Sequence, residues 1–106
     1  MYCNILITKP FNQCFTYKAK INQKVKLGSV VKVSFGKIKE QIGIIYDFQQ
    51  SIDKDVNQFQ IKEIDSVYEN LYLNKKIIKL IDWIAEYTLA PKGLVLKLFL
   101  INKKII

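Results

Sequence analysis

The sequence predicts an α+β fold, in which a small, strongly bent, OB-like β-barrel is followed by one amphipathic helix and a short second helix. Alternating apolar residues with many β-branched side chains fill the chain up to about residue 68. Apolar residues then recur at helical spacing. Strands first and helices last is the order of an α+β domain. We expect the 106 residues to form a single domain, with a β part over about 1–68 and a helical part over about 74–100.

Five stretches of the sequence predict β-strands, and turn residues separate them. Pro10 ends the first stretch. Gly36 opens a short lysine-bearing connection between the third and the fourth, so we expect these two to form a hairpin. A polar stretch over 49–60 predicts an exposed loop before the fifth. The predicted strands cover residues 2–8, 15–18, 29–35, 41–48 and 61–68.

Two helices are predicted near the C-terminal end. Asn74 is a typical N-cap for a helix over 75–88. We interpret Trp83 and Tyr87, four residues apart on this helix, as packing residues. Pro91 suits a first helical turn and predicts the second helix over 92–100. The apolar face of the first helix would consist of Ile77, Ile78, Ile81, Ile84 and Ala85.

The charge of the chain is concentrated at one end. Net charge is +8, and eight lysines precede the first acidic residue, Glu40. This localisation is the footprint expected where a polyanion docks, although a coding bias towards lysine and isoleucine would produce a similar excess. All 17 basic residues are lysines. Without the planar fork of arginine, readout of base sequence in the major groove is not expected.

Several functional classes are excluded by what the sequence lacks. It contains no histidine, and Cys3 and Cys14 have no CxxC spacing, so no structural zinc site is expected. Both cysteines are expected to be reduced, partly buried thiols. No catalytic constellation is present, so we expect neither an enzyme nor a bound cofactor. The longest apolar stretch, 94–101, is interrupted by Lys97 and is too short for a membrane span, which predicts a cytoplasmic protein.

Two segments are candidates for a binding site. In Phe15-Thr16-Tyr17 the two rings share one face of a strand, and bases stack well on exposed rings, although burial of Tyr17 in the core is the simpler interpretation. Gly36-Lys37 puts a flexible residue and a cation at the end of a strand, where a phosphate or ribose could come close. An ordinary hairpin turn explains the same pair.

Taken in order, the motifs resemble the 3′-terminus-binding domain of primosomal protein N′, the bacterial replication-restart helicase. No single motif is diagnostic, but their order and spacing extend over about residues 5–100. They are Pro10-Phe11, Phe15-Thr16-Tyr17, Leu27-Gly28, Phe35-Gly36-Lys37, Ile42-Gly43-Ile44-Ile45, Ile61-Lys62, the helical segment 82–87 and Pro91-Lys92-Gly93.

The resemblance implies a pocket that holds the 3′-hydroxyl end of a DNA strand, largely independently of base identity. Phe15 would shape the pocket, Gly36 would let the terminal sugar approach, and Lys62 would supply a cation or a hydrogen-bond donor. The residues that it implies for DNA 3′-end binding are Phe15, Thr16, Tyr17, Gly36, Lys37 and Lys62.

One residue departs from the family pattern. The family commonly has aspartate at the position of Thr16, where a carboxylate can accept hydrogen bonds from the terminal nucleotide. A threonine hydroxyl can accept one, but a neutral hydrogen bond is about half as strong as a charge-assisted one. We therefore expect weaker discrimination between a 3′-hydroxyl and a 3′-phosphate.

The resemblance also implies a longer parent protein from which this domain is excised. That parent would be an ATP-dependent 3′-5′ DNA helicase with ATP, Mg²⁺ and Zn²⁺, associated with the nucleoid. Its partners would be branched forks with a nascent 3′ end, other primosome proteins and single-stranded DNA-binding protein, and no membrane. Two alternatives stay open: a stand-alone basic barrel that binds RNA or ribosomes, and a structural domain that contacts another protein through the Trp83 helix.

Overall fold

Five β-strands and two α-helices follow one another in the order that the sequence predicts. They are seen in a computed structural model that describes residues 2–20, 22–49 and 61–102. The strands form one antiparallel sheet in the order β2-β1-β4-β3-β5. The elements are β1 (Tyr2–Ile7), β2 (Phe15–Lys18), β3 (Ser29–Phe35), β4 (Ile38–Gln49), β5 (Ser66–Tyr72), α1 (Lys75–Thr88) and α2 (Lys92–Asn102).

The predicted bounds of the last strand were wrong. The strand was expected over 61–68, but β5 covers Ser66–Tyr72. Two residues before it form backbone hydrogen bonds with the end of β2 instead. The Lys18 N–H donates to the Lys62 carbonyl oxygen, and the Ile64 N–H donates to the Lys18 carbonyl oxygen, both at 3.0 Å. The loop predicted over 49–60 lies, from residue 50 onwards, outside the described residues.

The sheet is strongly bent and forms an open barrel. In the described part of the chain its two edges, β2 and β5, do not pair with each other, and a parallel bridge between Lys18 and Glu63 links β2 to the segment before β5. Irregularities in register interrupt the pairing of β4 with both of its neighbours. One lies beside Glu40, whose φ of 63° is left-handed. Bulges of this kind increase local twist, so the sheet curves without closing.

Both faces of the sheet are covered by apolar side chains, and the alternation of β3 shows why. Val30 packs with the residues of the helices, whereas Val31 and Val33 point to the other, concave face. The helical face combines Leu6, Val30, Ile44, Leu73, Ile78, Ile81, Ala85, Val95, Leu96 and Leu100. The concave face combines Cys3, Ile5, Ile7, Tyr17, Val31, Val33, Ile45 and Ile64.

Helix α1 has the predicted bounds and the predicted cap. The Asn74 side chain accepts a hydrogen bond from the Ile77 N–H at 2.9 Å. The interpretation of Trp83 and Tyr87 as packing residues was wrong, because they are 60% and 77% exposed. Their rings stack on each other with centroids 5.3 Å apart. Within the described part of the chain, no helix is long and apolar enough to cross a membrane.

The start of α2 touches the end of β1 because Gly93 carries no side chain. A Cβ at this position would collide with the carbonyl oxygens of Ile7 and Lys9. The Gly93 N–H donates to the Phe11 carbonyl oxygen at 3.0 Å, and the Lys92 N–H donates to the Asn12 side chain at 3.0 Å. Helix α2 therefore fixes the β1–β2 connection, which carries Phe11 towards the end of β3.

Candidate nucleic-acid interface

An open cavity of about 380 Å³ lies between β2, the end of β3 and the segment before β5. We call it the β2–β3 cavity. Five of the six residues predicted for 3′-end binding line it, and Lys37 does not. Lys37 is exposed in the turn between β3 and β4. The described residues that line it are Cys14, Phe15, Thr16, Tyr17, Ser34, Phe35, Gly36, Ile61 and Lys62.

Aromatic rings form one wall of the cavity. Phe15 and Phe35 lie 4.7 Å apart between ring centroids, and Phe11 packs at 5.6 Å from each of them. Tilted and edge-on arrangements of this kind are favourable for aromatic pairs. Phe35 was missed as a site residue in the sequence, although its position directly before Gly36 was a usable signal.

Tyr17 contributes to the cavity from within the core. It is only 4% exposed, and its hydroxyl donates to the Ser34 carbonyl oxygen at 2.6 Å. Burial, with a smaller effect of Asp65, raises the pKa of Tyr17 to about 12. The Ser34 hydroxyl in turn donates to the Asp65 carboxylate at 3.1 Å. Tyr17 thus holds β2 against β3 and keeps the cavity in shape, as its interpretation as a core residue predicted.

Three further polar groups of the cavity are the Thr16 hydroxyl, the Gly36 carbonyl and the Lys62 ammonium. The Thr16 hydroxyl donates to the Asn4 side-chain oxygen at 3.2 Å, so its own oxygen can still accept a hydrogen bond. The Lys62 ammonium donates to the Gly36 carbonyl oxygen at 3.2 Å, which leaves two of its three protons for a ligand. Gly36 has a φ of +59°, and a Cβ there would meet no protein atom within 4 Å.

The electrostatic character of the cavity is positive. Lys62 is the charged residue among the described lining residues, and none of these is acidic. Cys14, also in the lining, keeps its proton at neutral pH because burial raises the pKa of its thiol to about 11. The described residues contain no group of three side chains that could hold a metal ion. An uncharged aromatic wall with one cation suits a base and a sugar or phosphate group.

Comparison with known proteins identifies the family. A family model described as the 3′ DNA-binding domain (3′BD) of PriA, another name for primosomal protein N′, matches residues 4–101. The chain belongs to the PriA 3′ DNA-binding domain family. The replication restart protein PriA of Chlamydia muridarum (strain MoPn / Nigg) is 34% identical over 107 residues, which cover 94% of this chain and 14% of that relative. The chain thus spans about a seventh of the length of the curated relative it matches.

The PriA family assignment confirms the resemblance drawn from the order of the motifs, and the structure explains part of that order. Phe15 and Thr16 come from β2, Gly36 from the turn after β3, and Lys62 from the segment before β5. The Pro91-x-Gly93 motif has a packing role instead, since Gly93 allows α2 to touch β1. The motifs of this PriA domain therefore divide into residues of the cavity and residues that support it.

Proposed function

We propose that the domain binds the 3′-hydroxyl end of a DNA strand in the β2–β3 cavity, largely independently of base sequence. The observation that carries this proposal is the convergence of Phe15, Thr16, Gly36 and Lys62 from three separate segments on one cavity. Its volume of about 380 Å³ is at the small end of ligand sites, which suits a single terminal nucleotide.

Each group has a role in this proposal. The terminal base stacks on Phe15, the sugar approaches Gly36, and the Thr16 oxygen accepts a hydrogen bond from the 3′-hydroxyl. Lys62 donates to the sugar or to the adjoining phosphate, and Lys37 contacts a phosphate from the turn beside the cavity. Stacking accepts any base because every base has a π-face. The absence of arginine from the chain agrees with binding that does not read sequence.

The role of the longer protein is part of the same proposal. At a stalled fork, the domain would hold the 3′ end of the nascent leading strand and so direct an ATP-dependent 3′-5′ helicase to the site. ATP, Mg²⁺ and Zn²⁺ would be bound by the parent outside this chain. Contacts with other primosome proteins and with single-stranded DNA-binding protein, and association with the nucleoid, would also belong to the parent.

The test is fluorescence anisotropy with short single-stranded oligonucleotides labelled at the 5′ end. They differ only in the 3′ end, which is a free hydroxyl, a phosphate or a blocking group. We expect weak binding with a preference for the free hydroxyl, because one terminal nucleotide offers few contacts. Affinity should fall with salt, with a slope near −0.7 for each phosphate neutralised.

Two variants make this experiment specific. Lys62→Ala should bind the free 3′-hydroxyl about tenfold more weakly, since hydrogen bonds from charged groups contribute about 1.5 to 3 kcal/mol. Lys97→Ala, which removes an exposed charge from α2, should bind like the wild type. Equal binding of all three ends would reject the proposal and favour an RNA-binding surface. Negligible, salt-insensitive binding would favour a structural domain.

A further inference from the structure

A second, larger cavity of about 810 Å³ lies between the loop that follows β2 and strand β5. None of its described lining residues is acidic, and two of them are exposed lysines, Lys24 and Lys26. We call it the lysine groove. Its lining consists of Asn22, Gln23, Lys24, Val25, Lys26, Ser29, Val67, Tyr68, Leu71 and Tyr72.

The loop side of the lysine groove is held in place by hydrogen bonds. The Gln23 side chain donates to the Ile64 carbonyl oxygen at 3.0 Å and accepts from the Lys20 N–H at 2.9 Å. The Lys26 N–H donates to the Ser29 hydroxyl at 3.0 Å. A ligand would therefore meet an ordered loop, and little of the binding free energy would be lost in ordering it.

An aromatic ring accompanies the lysines. Tyr72 is 47% exposed, and the Lys26 ammonium lies 3.4 Å from the centroid of its ring. The cation is thus held at the groove without a carboxylate partner among the described residues, so its charge is available to an anion. Lysines next to an exposed ring are the combination that binds a single-stranded nucleic acid, the cations at phosphates and the ring at a base.

The lysine groove and the β2–β3 cavity lie at opposite ends of β3. Ser29 at the start of this strand lines the groove, and Phe35 at its end lines the cavity. A strand rises by about 3.3 Å per residue, so the two sites are about 20 Å apart. The end of β2 and the chain that follows it add two further exposed lysines, Lys18 and Lys20.

We propose that the lysine groove binds the phosphate backbone of a single DNA strand about six nucleotides upstream of the end held in the β2–β3 cavity. This inference rests on the proposed function. At about 3.4 Å per stacked nucleotide, six nucleotides span the 20 Å between the two sites. Lys24 and Lys26 contact phosphates, and the exposed part of Tyr72 supports a base. The groove supplies affinity without end selectivity, and the cavity supplies end selectivity.

The test varies the length of the strand and the charge of the groove. Anisotropy is measured for 3′-hydroxyl and 3′-phosphate oligonucleotides of about two, four, eight and twelve nucleotides, chosen to bracket the span between the sites. The proteins are the wild type, the double variant Lys24→Gln/Lys26→Gln, and the matched control Lys75→Gln/Lys79→Gln. The control removes the same charge from exposed positions on α1. Circular dichroism melts establish that each variant is folded.

For the wild type and the control, we expect affinity to rise about five- to tenfold between four and eight nucleotides. The groove variant should lose this rise and lower the salt slope by about 1.4 on the longer strands, which is 0.7 for each of two phosphates. Its affinity for the dinucleotide and its preference for a 3′-hydroxyl should be unchanged.

Equal affinities of the groove variant and the control at every length would overturn the proposal for the groove. A preference for the 3′-hydroxyl end in the same experiment would leave the proposed function intact. Loss of the length-dependent rise in the groove variant without any end preference would support the groove and reject end recognition. The two failures are therefore distinguishable.

Discussion

The Lys62 ammonium donates a hydrogen bond to the carbonyl oxygen of Gly36 at 3.2 Å, across 26 residues of sequence. It joins the segment before β5 to the turn after β3, and both residues line the β2–β3 cavity. Lys62 is exposed, so this contact contributes little to the stability of the fold. Its effect is to hold a cation beside a glycine whose α-carbon faces open space.

Gly36 offers a direct test of close approach by the ligand. We expect Gly36→Ala to bind a 3′-hydroxyl oligonucleotide about tenfold more weakly, because a methyl group would occupy space that the proposed sugar uses. It should also lower the free energy of unfolding by about 1 kcal/mol, since φ is +59°. Binding is measured by anisotropy and stability by urea denaturation.

Gly36→Asn separates these two effects. Asparagine tolerates the left-handed region better than alanine, so this variant should regain stability and still bind weakly. Wild-type affinity in Gly36→Asn would contradict a close approach of the terminal nucleotide at this position.

Thr16 should determine how well the domain separates a 3′-hydroxyl from a 3′-phosphate. Thr16→Asp places a carboxylate beside the proposed terminus, where it repels a phosphate and accepts a strong hydrogen bond from a hydroxyl. We expect the ratio of the two affinities to rise about tenfold. Thr16→Asn is the control, because asparagine is similar in size to aspartate but neutral. This variant should keep the wild-type ratio of the two affinities. Equal affinity of Thr16→Asp and the wild type for the 3′-phosphate end would count against this role.

The raised pKa of Tyr17 predicts a loss of stability at high pH. The pKa is about 12 in the folded protein and about 10 in an unfolded chain, so the folded state holds this proton more tightly. The stabilisation that results from this pKa difference is fully present below pH 10 and is lost as the pH rises towards 12. At pH 11 the free energy of unfolding should have fallen by about 1.4 kcal/mol.

Tyr17→Phe isolates this contribution. At pH 8, it should be about 1 kcal/mol less stable than the wild type, because the hydrogen bond to Ser34 is lost. By pH 11 the difference should vanish or reverse, since the variant has no such proton to lose. Urea denaturation of both proteins measures this stability difference at the two pH values, and a difference that stays constant would show that folding does not raise the pKa of Tyr17.

Helix α1 ends on a residue that is poorly suited to its backbone. Leu89 is the C-cap, with φ 58° and ψ 23°, and its side chain is 89% exposed. Glycine takes this conformation without steric cost. We expect Leu89→Gly to raise stability by about 1 kcal/mol and Tm by about 4 to 8 °C. Lys97→Gly, in the middle of α2, should lower stability by a similar amount, and a lowered Tm in Leu89→Gly would show that the leucine makes contacts of its own.

Elements with strong local signals could be predicted from the sequence to the residue. Strands β2 and β3 alternate clearly, and Asn74 caps α1 through its own side chain. The start of β5 could not be predicted in this way, because the hydrogen-bond partners of the residues before it lie far away in the sequence. Lys62 and Ile64 pair with Lys18, and the Asp65 N–H donates to the Lys32 carbonyl oxygen.

The residues of the candidate site could be predicted only at positions that match the family's motifs. The order of the motifs predicted that Phe15, Gly36 and Lys62 belong to one site, although they lie far apart in the sequence. The lysine groove lies outside that pattern, and it forms only when the loop after β2 meets β5. The exposure of Trp83 was predictable in principle, because it lies opposite the buried Ile78 and Ile81 on the helix.

Trp83 is the one tryptophan of the chain, and its exposed stack on Tyr87 governs how the domain can be observed. Its indole is already 60% exposed when the protein is folded, so we expect unfolding to change its emission less than that of a buried tryptophan. The β2–β3 cavity is not lined by it, so quenching by an oligonucleotide would signal contact with α1 instead of occupancy of the cavity. The indole is thus a built-in spectroscopic label for a surface to which neither proposed DNA site assigns a ligand.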